Sequence, residues 1–230
     1  MLKFKMIGSD PEFFVYDQQN KTTVPSFMVT DGTKEFPLEY EKGFKILKDN
    51  LVLEGNIPPS NTKEEWINNM LKLKKDFNNI IKQINPNYIL LEGDLEYYSL
   101  ENINTVDGLS FGCSNYLNAW DYNEYTTPSF KKNFRTCGFH IHVSFDVEED
   151  SLIKDPLIIG AFLTRLFDMF LGIPSDEIYY CGDRRKGYGA LGSFRLTDYG
   201  IEYRSLGGYF TKDEYLGWIY DQVIKIFNFI

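Results

Sequence analysis

Gly138-Phe139-His140-Ile141-His142-Val143-Ser144-Phe145 is the stretch on which the reading of this chain turns. Successive side chains of a β-strand point to opposite faces, so Phe139, Ile141, Val143 and Phe145 share one face while His140, His142 and Ser144 share the other. Alternation of this kind predicts a half-buried strand, apolar on one side and wet on the other. His140 and His142 are the only two histidines in 230 residues. Two neutral imidazoles on one face can bind one metal ion, or one can bind metal while the other contacts a phosphate; the plain alternative is a pair of surface histidines.

Working outward, residues 4–16, 50–57 and 88–98 read as strands, 136–147 contains the histidine strand, and 192–206 reads as a hairpin turning at Thr197 to Gly200. Thr62-Lys63-Glu64-Glu65 forms a capping box, in which hydroxyl and carboxylate satisfy each other's free backbone amides. Behind it Trp66, Met70, Leu73, Phe77, Ile80, Ile81 and Ile84 recur at helical spacing up to Pro86. Asp155-Pro156 offers an N-cap and a proline at the first helical position, opening a helix expected to stop at Gly172 and Pro174. Thr211 and Glu214 read as a second capping box, opening a last helix through Tyr215, Trp218, Ile219 and Val223. Grouped strands with three helices to cover one sheet face predict an α+β fold.

Composition excludes several classes. Hydrophobic residues make up 43% and charged residues 25%, the proportions of a globular chain. Lys and Arg number 24 against 33 acids, a net charge of −9, so an acidic field opposes binding to nucleic acid or to an anionic membrane surface. Leu157 to Ile173 is the most apolar stretch, but it is short and carries Arg165 and Asp168, so a buried helix is expected rather than a membrane span. Cys113, Cys137 and Cys181 are odd in number and lack CxxC spacing, and the N-terminus has no long apolar run before a cleavage site. Both features give the expectation of a cytoplasmic protein. A length of 230 residues is compatible with a single domain spanning 1–230.

Four segments carry candidate chemistry. Besides His140 and His142, Asp10 and Glu12 stand two apart around Pro11, giving two oxygen donors on one strand face; Pro11, lacking a donor, predicts an edge or bulge. Glu54 and Asn56 emerge together from the otherwise apolar strand Val52–Ile57, where a lone buried carboxylate is costly and a nearby cation is plausible. Arg184, Arg185, Arg195 and Arg204 fall within about two dozen residues, beside glycines at 187, 189 and 192. Arginine forks match phosphate and carboxylate bidentately. Glu202 and Arg204 share a strand face, although Arg195 and Glu202 could equally form a cross-strand ion pair. Carboxylates without thiol ligands favour Mg²⁺ or Mn²⁺, and metal with arginine is the equipment of phosphoryl transfer from a nucleotide. There is no phosphate-binding glycine loop of the Walker type and no GxGxxG.

The order SDPEFF (9–14), LEGNIPPS (53–60), FGCSNYLNAW (111–120), RTCGFHIH (135–142), DRRKGYGALGSFR (183–195) and YGIEYRSL (199–206) resembles the phage-type COOH-NH2 ligase type 2 (amidoligase) family, related to glutamine synthetase and glutamate–cysteine ligase. The resemblance implies a glutamine synthetase-like catalytic domain: a curved, mainly antiparallel sheet with helices packed on one face. It also implies ATP-dependent amide formation through an acyl phosphate, with Mg²⁺ or Mn²⁺ as cofactor and small-molecule or peptide carboxylate and amine as substrates. Carried over residue by residue, it makes Glu12, Glu54, His140 and Glu202 metal ligands with Asp10 in support. His142 becomes a nucleotide-phosphate contact, Arg195 and Arg204 hold the γ-phosphate and the developing acyl phosphate, and Arg184 and Arg185 are further phosphate contacts. Phe139 stands where the family often has a second glycine before HIH, and Asn115-Tyr116 where Pro-Asp is expected. A phosphagen-kinase-like phosphotransferase, a zinc hydrolase built on the His-x-His strand and an inactive binding module are the alternatives.

Overall fold

The computed structural model describes residues 2–105, 115–126, 133–180 and 182–230. Cys113, Cys181 and the first part of the FGCSNYLNAW segment lie outside them. In chain order the strands are β1 (Leu2–Asp17), β2 (Thr22–Val24), β3 (Leu38–Glu41), β4 (Phe44–Asp49), β5 (Val52–Asn56), β6 (Tyr88–Leu91), β7 (Leu95–Tyr97), β8 (Tyr116–Asn118), β9 (Glu124–Tyr125), β10 (Phe134–Thr136), β11 (Phe139–Val147), β12 (Ser193–Thr197) and β13 (Gly200–Tyr203). The α-helices are α1 (Lys63–Ile84), α2 (Leu100–Ile103), α3 (Pro156–Phe167), α4 (Ile173–Ile178), α5 (Gly182–Arg185) and α6 (Asp213–Phe229). Every described strand pairing is antiparallel, and the main sheet runs β3-β4-β5-β1-β11-β13-β12-β8-β9, with β2 and β6 also paired to β1. Mixed helix and antiparallel sheet is the α+β arrangement expected from the grouped strands.

One face of this sheet is the core. Phe13 on β1, Phe139, Ile141 and Val143 on β11, Phe194 on β12 and Ile201 and Tyr203 on β13 are fully buried, in one cluster with the helices. α1 contributes Trp66, Met70, Leu73, Phe77 and Ile81, α3 contributes Leu163 and Phe167, and α6 contributes Leu216, Ile219, Val223 and Ile226. Trp66 stacks on Phe139 at 6.2 Å and donates its indole N–H to the Ser9 hydroxyl at 3.2 Å. Close approach of α1 to β5 requires a glycine: a Cβ on Gly55 would lie 2.7 Å from Phe77 and 2.9 Å from Leu73. The alternation read from residues 138–145 therefore holds across the sheet, and the polar partners of these core residues face the opposite way.

Four expectations about local structure are corrected. Thr62 caps α1, accepting from the Glu65 amide at 3.3 Å, but Thr211 does not cap α6, whose N-cap is Lys212. Thr211 instead ends a preceding 3₁₀ turn at Gly208–Thr211, its hydroxyl donating to the Gly208 carbonyl at 2.7 Å, so it stands one residue before the cap position. The helix opened by Asp155 does not stop at Gly172. It widens into a π-helical turn at Asp168–Gly172 and continues as α4, the wider turn standing directly before Pro174, which has no amide to donate. The continuous helix Pro156–Ile178 is thus long and apolar enough to cross a membrane by length and composition, although 56% of its most apolar window is buried inside the molecule. Pro11 lies neither at an edge nor at a bulge, since the irregularity in β1 falls between Phe4 and Met6. Pro11 sits where β1 changes partners, from β11 up to residue 11 to β5 at Glu12 and Phe13, so its missing donor interrupts no continuous ladder. Gly93 and Asp94 split the strand expected at 88–98 into β6 and β7.

Candidate active site

The polar side chains gather on the face of the sheet away from the helices, because the register sets them side by side. Asp10 pairs with His140, His142 with Glu202, Glu202 with Arg195, and Glu12 with Glu54. Six of the residues expected from sequence, Asp10, Glu54, His140, Arg195, Glu202 and Arg204, line one cavity of about 230 Å³. Asn56, Lys34, Pro37 and Leu47 complete its wall. Asp10 and Asn56 also border a second cavity of about 570 Å³, lined further by His142, Ser144, Tyr199, Met6, Ile57, Pro58, Pro59 and Lys45. A charged compartment and a larger, less charged one thus share a wall.

Among the described residues, two groups of side chains bring oxygen or nitrogen donor atoms within 4.8 Å of one another: Asp10, His142 and Glu202, and Glu12, Asp49 and Glu54. In the first, the His142 Nε2 lies 2.8 Å from Asp10 and its Nδ1 2.7 Å from the Tyr199 hydroxyl. Burial alone would lower the His142 pKa, but the adjoining Asp10 carboxylate outweighs it and holds the imidazole above its usual value. For Asp10 burial pushes upward, yet His142 and the Asn56 amide, donating at 2.9 Å, leave it below the ordinary carboxylate range. Asp10 and His142 form an ion pair.

The second group behaves oppositely. All three carboxylates are buried. Burial, with the neighbouring Asp49, pushes Glu12 up to about 7, and burial raises Glu54 well above the carboxylate range. Glu12 is fixed by the Gly138 amide, which donates to its Oε2 at 2.5 Å. Asp49 Oδ1 and Glu54 Oε2 are buried without a hydrogen-bond partner. Carboxyl oxygens so placed suit a hard cation with several oxygen ligands, which would displace their protons, and the donor set of the trio fits Mg²⁺ or Mn²⁺.

His140 belongs to neither group. Its Nδ1 lies 3.3 Å from Glu202 and its Nε2 3.1 Å from the Tyr188 hydroxyl. Burial, then Arg204, Arg184 and Arg195, drive its pKa well below 6.5, so the ring is neutral. Arg204 donates to both Glu202 and the Tyr188 hydroxyl, closing a ring of four side chains in which both His140 nitrogens face protein partners. Arg195 reaches Glu202 across the hairpin at 3.5 Å and donates to the Asn115 carbonyl at 3.2 Å.

The structure does not bring Arg184 and Arg185 to either cavity. The Arg184 guanidinium is buried and donates to the carbonyls of Cys137 at 2.8 Å, Ser205 at 3.0 Å and Arg204 at 3.4 Å, tying α5 to the ends of β10 and β13. Arg185 turns toward α4, donating to the Gly172 carbonyl at 3.0 Å and approaching Asp176 at 3.1 Å. Conversely, sequence reasoning passed over Asp49, Lys34 and Tyr188. Tyr188 lies within the glycine-rich stretch and has the Arg184 and Arg204 guanidinium groups each 5.4 Å from its ring centre. Asp49 had no signal beyond being one acid among 33.

Residues 125–220 match the family model described as phage phiEco32-like COOH.NH2 ligase-type 2. The matched span contains β11, Tyr188 and the β12–β13 hairpin with Arg195, Glu202 and Arg204; Asp10, Glu12, Asp49 and Glu54 precede it. No curated protein matches the chain.

Proposed function

We propose, from the premise that residues 125–220 carry the signature of a COOH-NH2 ligase family, that this chain joins a carboxylate to an amine at the expense of ATP. The reading extends to a glutamine synthetase-like catalytic fold, with the sheet face opposite the helices as its active surface. The observation that carries it is the meeting, in one cavity of about 230 Å³, of Glu54, Asp10 and Glu202 with Arg195 and Arg204. Phosphoryl transfer needs this pairing of cation ligands and guanidinium groups, because positioning and charge neutralisation do most of the catalysis.

In the proposed sequence a substrate carboxylate oxygen attacks the γ-phosphorus of ATP, and the bond to the β,γ-bridging oxygen breaks with its electron pair leaving on ADP. The amine nitrogen then attacks the carbonyl carbon of the acyl phosphate; inorganic phosphate departs with the bonding pair, and the nitrogen loses a proton. Arg195 and Arg204 hold the transferring phosphoryl group, and the ring of Tyr188, His140 and Glu202 fixes the Arg204 fork. Glu12, Asp49 and Glu54 would hold a divalent ion such as Mg²⁺ or Mn²⁺, while Asp10 and Glu202 keep His142, Arg204 and Arg195 in place beside it. When bound, such an ion would neutralise charge of the polyphosphate. The larger cavity, where His142 meets Met6, Ile57, Pro58 and Pro59, suits the nucleoside.

Calorimetric titration with ATP tests the reading first, in Mg²⁺ and again in EDTA. Binding that requires Mg²⁺ is expected. With hydroxylamine as the amine, a panel of carboxylates should then give ADP, inorganic phosphate and a hydroxamate together. ADP with a stable phosphorylated product and no phosphate would replace the ligase by a phosphotransferase. Failure to bind ATP in either condition would overturn both.

A further inference from the structure

Lys34 lies in the loop between β2 and β3, in a stretch without periodicity. The Thr33 amide donates to the Phe36 carbonyl and the Phe36 amide to the Thr33 hydroxyl, each at 3.1 Å, closing a tight turn that carries Lys34. Its base is pinned to β4, since the Lys48 amide donates to the Gly32 carbonyl at 2.9 Å, and a Cβ on Gly32 would collide with the Ile46 carbonyl. From that fixed base the Lys34 ammonium reaches Asp49 at 2.7 Å and Glu54 at 3.7 Å. It therefore sits against the trio that gathers Glu12, Asp49 and Glu54, two of whose buried oxygens, on Asp49 and Glu54, have no hydrogen-bond partner. The same side chain lines the cavity that holds Arg195 and Arg204.

We infer that Lys34 is a tethered cation that neutralises the Glu12–Asp49–Glu54 trio and competes with a divalent ion for it, moving to the Arg195 and Arg204 side of the cavity when the ion binds. The inference rests on the reading of the trio as a metal site. Three buried carboxyl groups within 4.8 Å of one another can all ionise only beside positive charge, and a lysine ammonium on four rotatable carbons supplies part of it without fixing the geometry a metal would impose. A divalent ion brings twice the charge and repels the ammonium at this range. The turn need not move, because the stem of the side chain alone can swing. Released, the ammonium becomes a third cation beside the two arginines, placed for an anionic group in the cavity. Loading of the metal site would thereby complete the phosphate-binding surface.

Titration of the full chain with Mn²⁺ alone, without nucleotide, tests this by calorimetry and by the electron paramagnetic resonance of free Mn²⁺. Lys34→Gln is expected to bind Mn²⁺ about tenfold or more tightly than the native chain, and Lys34→Arg to stay at or below native affinity. Lys34→Gln combined with Asp49→Asn should lose the gain. Equal or weaker binding by Lys34→Gln, or no Mn²⁺ binding by any of these chains, overturns the inference. Should Lys34→Gln not fold, the native chain provides a second readout: the side-chain ammonium resonance of Lys34 should shift saturably with Mg²⁺, and a resonance unmoved while metal binds overturns the competition. These readouts are independent of the ligase assay. A chain that forms no ADP yet shows the Lys34→Gln gain would remove the ligase reading and leave the tethered cation; ADP formation with unchanged Mn²⁺ affinity would do the reverse.

Discussion

The two acid clusters stand side by side on one sheet face, and the protein treats them in opposite ways. Asp10 and Glu202 are matched by His142, Arg204 and Arg195, all within ion-pair range. Glu12, Asp49 and Glu54 meet one lysine, from a loop, and Glu12 is pushed up to about 7. One cluster has its countercharge built into neighbouring strands and is committed to geometry. The other is held short of charge, and an added cation gains most there. A phosphoryl-transfer site needs both kinds: fixed guanidinium groups that do not reorganise, and a loosely neutralised seat that can be loaded.

The largest expected effect breaks the first cluster. Arg204→Met removes the nearest partner of buried Glu202, leaving Arg195 at 3.5 Å, and should cost about 3 kcal/mol in urea unfolding. A loss below about 1 kcal/mol would mean that Arg204 is held loosely, and the contrast between committed and loadable clusters would fall. The second effect belongs to the other cluster. Glu12 has its folded pKa raised from 4.5 to about 7, so the folded state binds the extra proton between those values, and stability of the metal-free chain should fall as pH rises through that window. The expected drop from Glu12 is about 3 kcal/mol, and Glu12→Gln should remove that part, leaving the contribution of Glu54; Mn²⁺ should bind more tightly as pH rises toward 7, with proton release. A pH-independent Mn²⁺ affinity over that range would contradict the protonation of Glu12.

Smaller effects sharpen the comparison. Asp10→Asn removes the carboxylate that holds His142 above 6.5, leaving burial and Arg204 opposed only by Glu202, so the imidazole should titrate at least about one unit lower by NMR. Tyr199→Phe removes only a hydroxyl at 2.7 Å from His142 Nδ1 and should shift the same titration by about half a unit or less. Equal shifts from both would place the stabilising charge elsewhere than Asp10.

How much of this was legible depends on where periodicity exists. β11 and β13 alternate apolar and polar residues because one face is packed under helices, so Phe139, Ile141, Ile201 and Tyr203 betray the direction of His140, His142 and Glu202. Thr62 announced α1 because it stands at the cap position and accepts from the Glu65 amide, whereas a 3₁₀ turn through Thr211 moved the start of the last helix on to Lys212. Arg184 and Arg195 look alike in sequence. What separates them is a fold-back that brings the carbonyls of Cys137 and Ser205 to one guanidinium and leaves the other facing a cavity. Asp49 and Lys34 were invisible for a related reason: their proximity is produced by the β4–β5 hairpin and by a turn docked on it, neither of which carries a repeating pattern.

The partner exchange of β1 at Pro11 also bears on how this surface can change over generations. Residues 8–13 encode site and core alternately: Gly8, Asp10 and Glu12 on one side, Ser9 and Phe13 on the other. Insertion or loss of one residue there would trade the two sets wholesale, placing acids under Trp66 and rings in the cavity. The strands can therefore drift only by substitution, at fixed spacing. The Lys34 turn is under no such constraint, and variation in length among descendants of this sequence should collect in that turn while the rows beneath it stay in step.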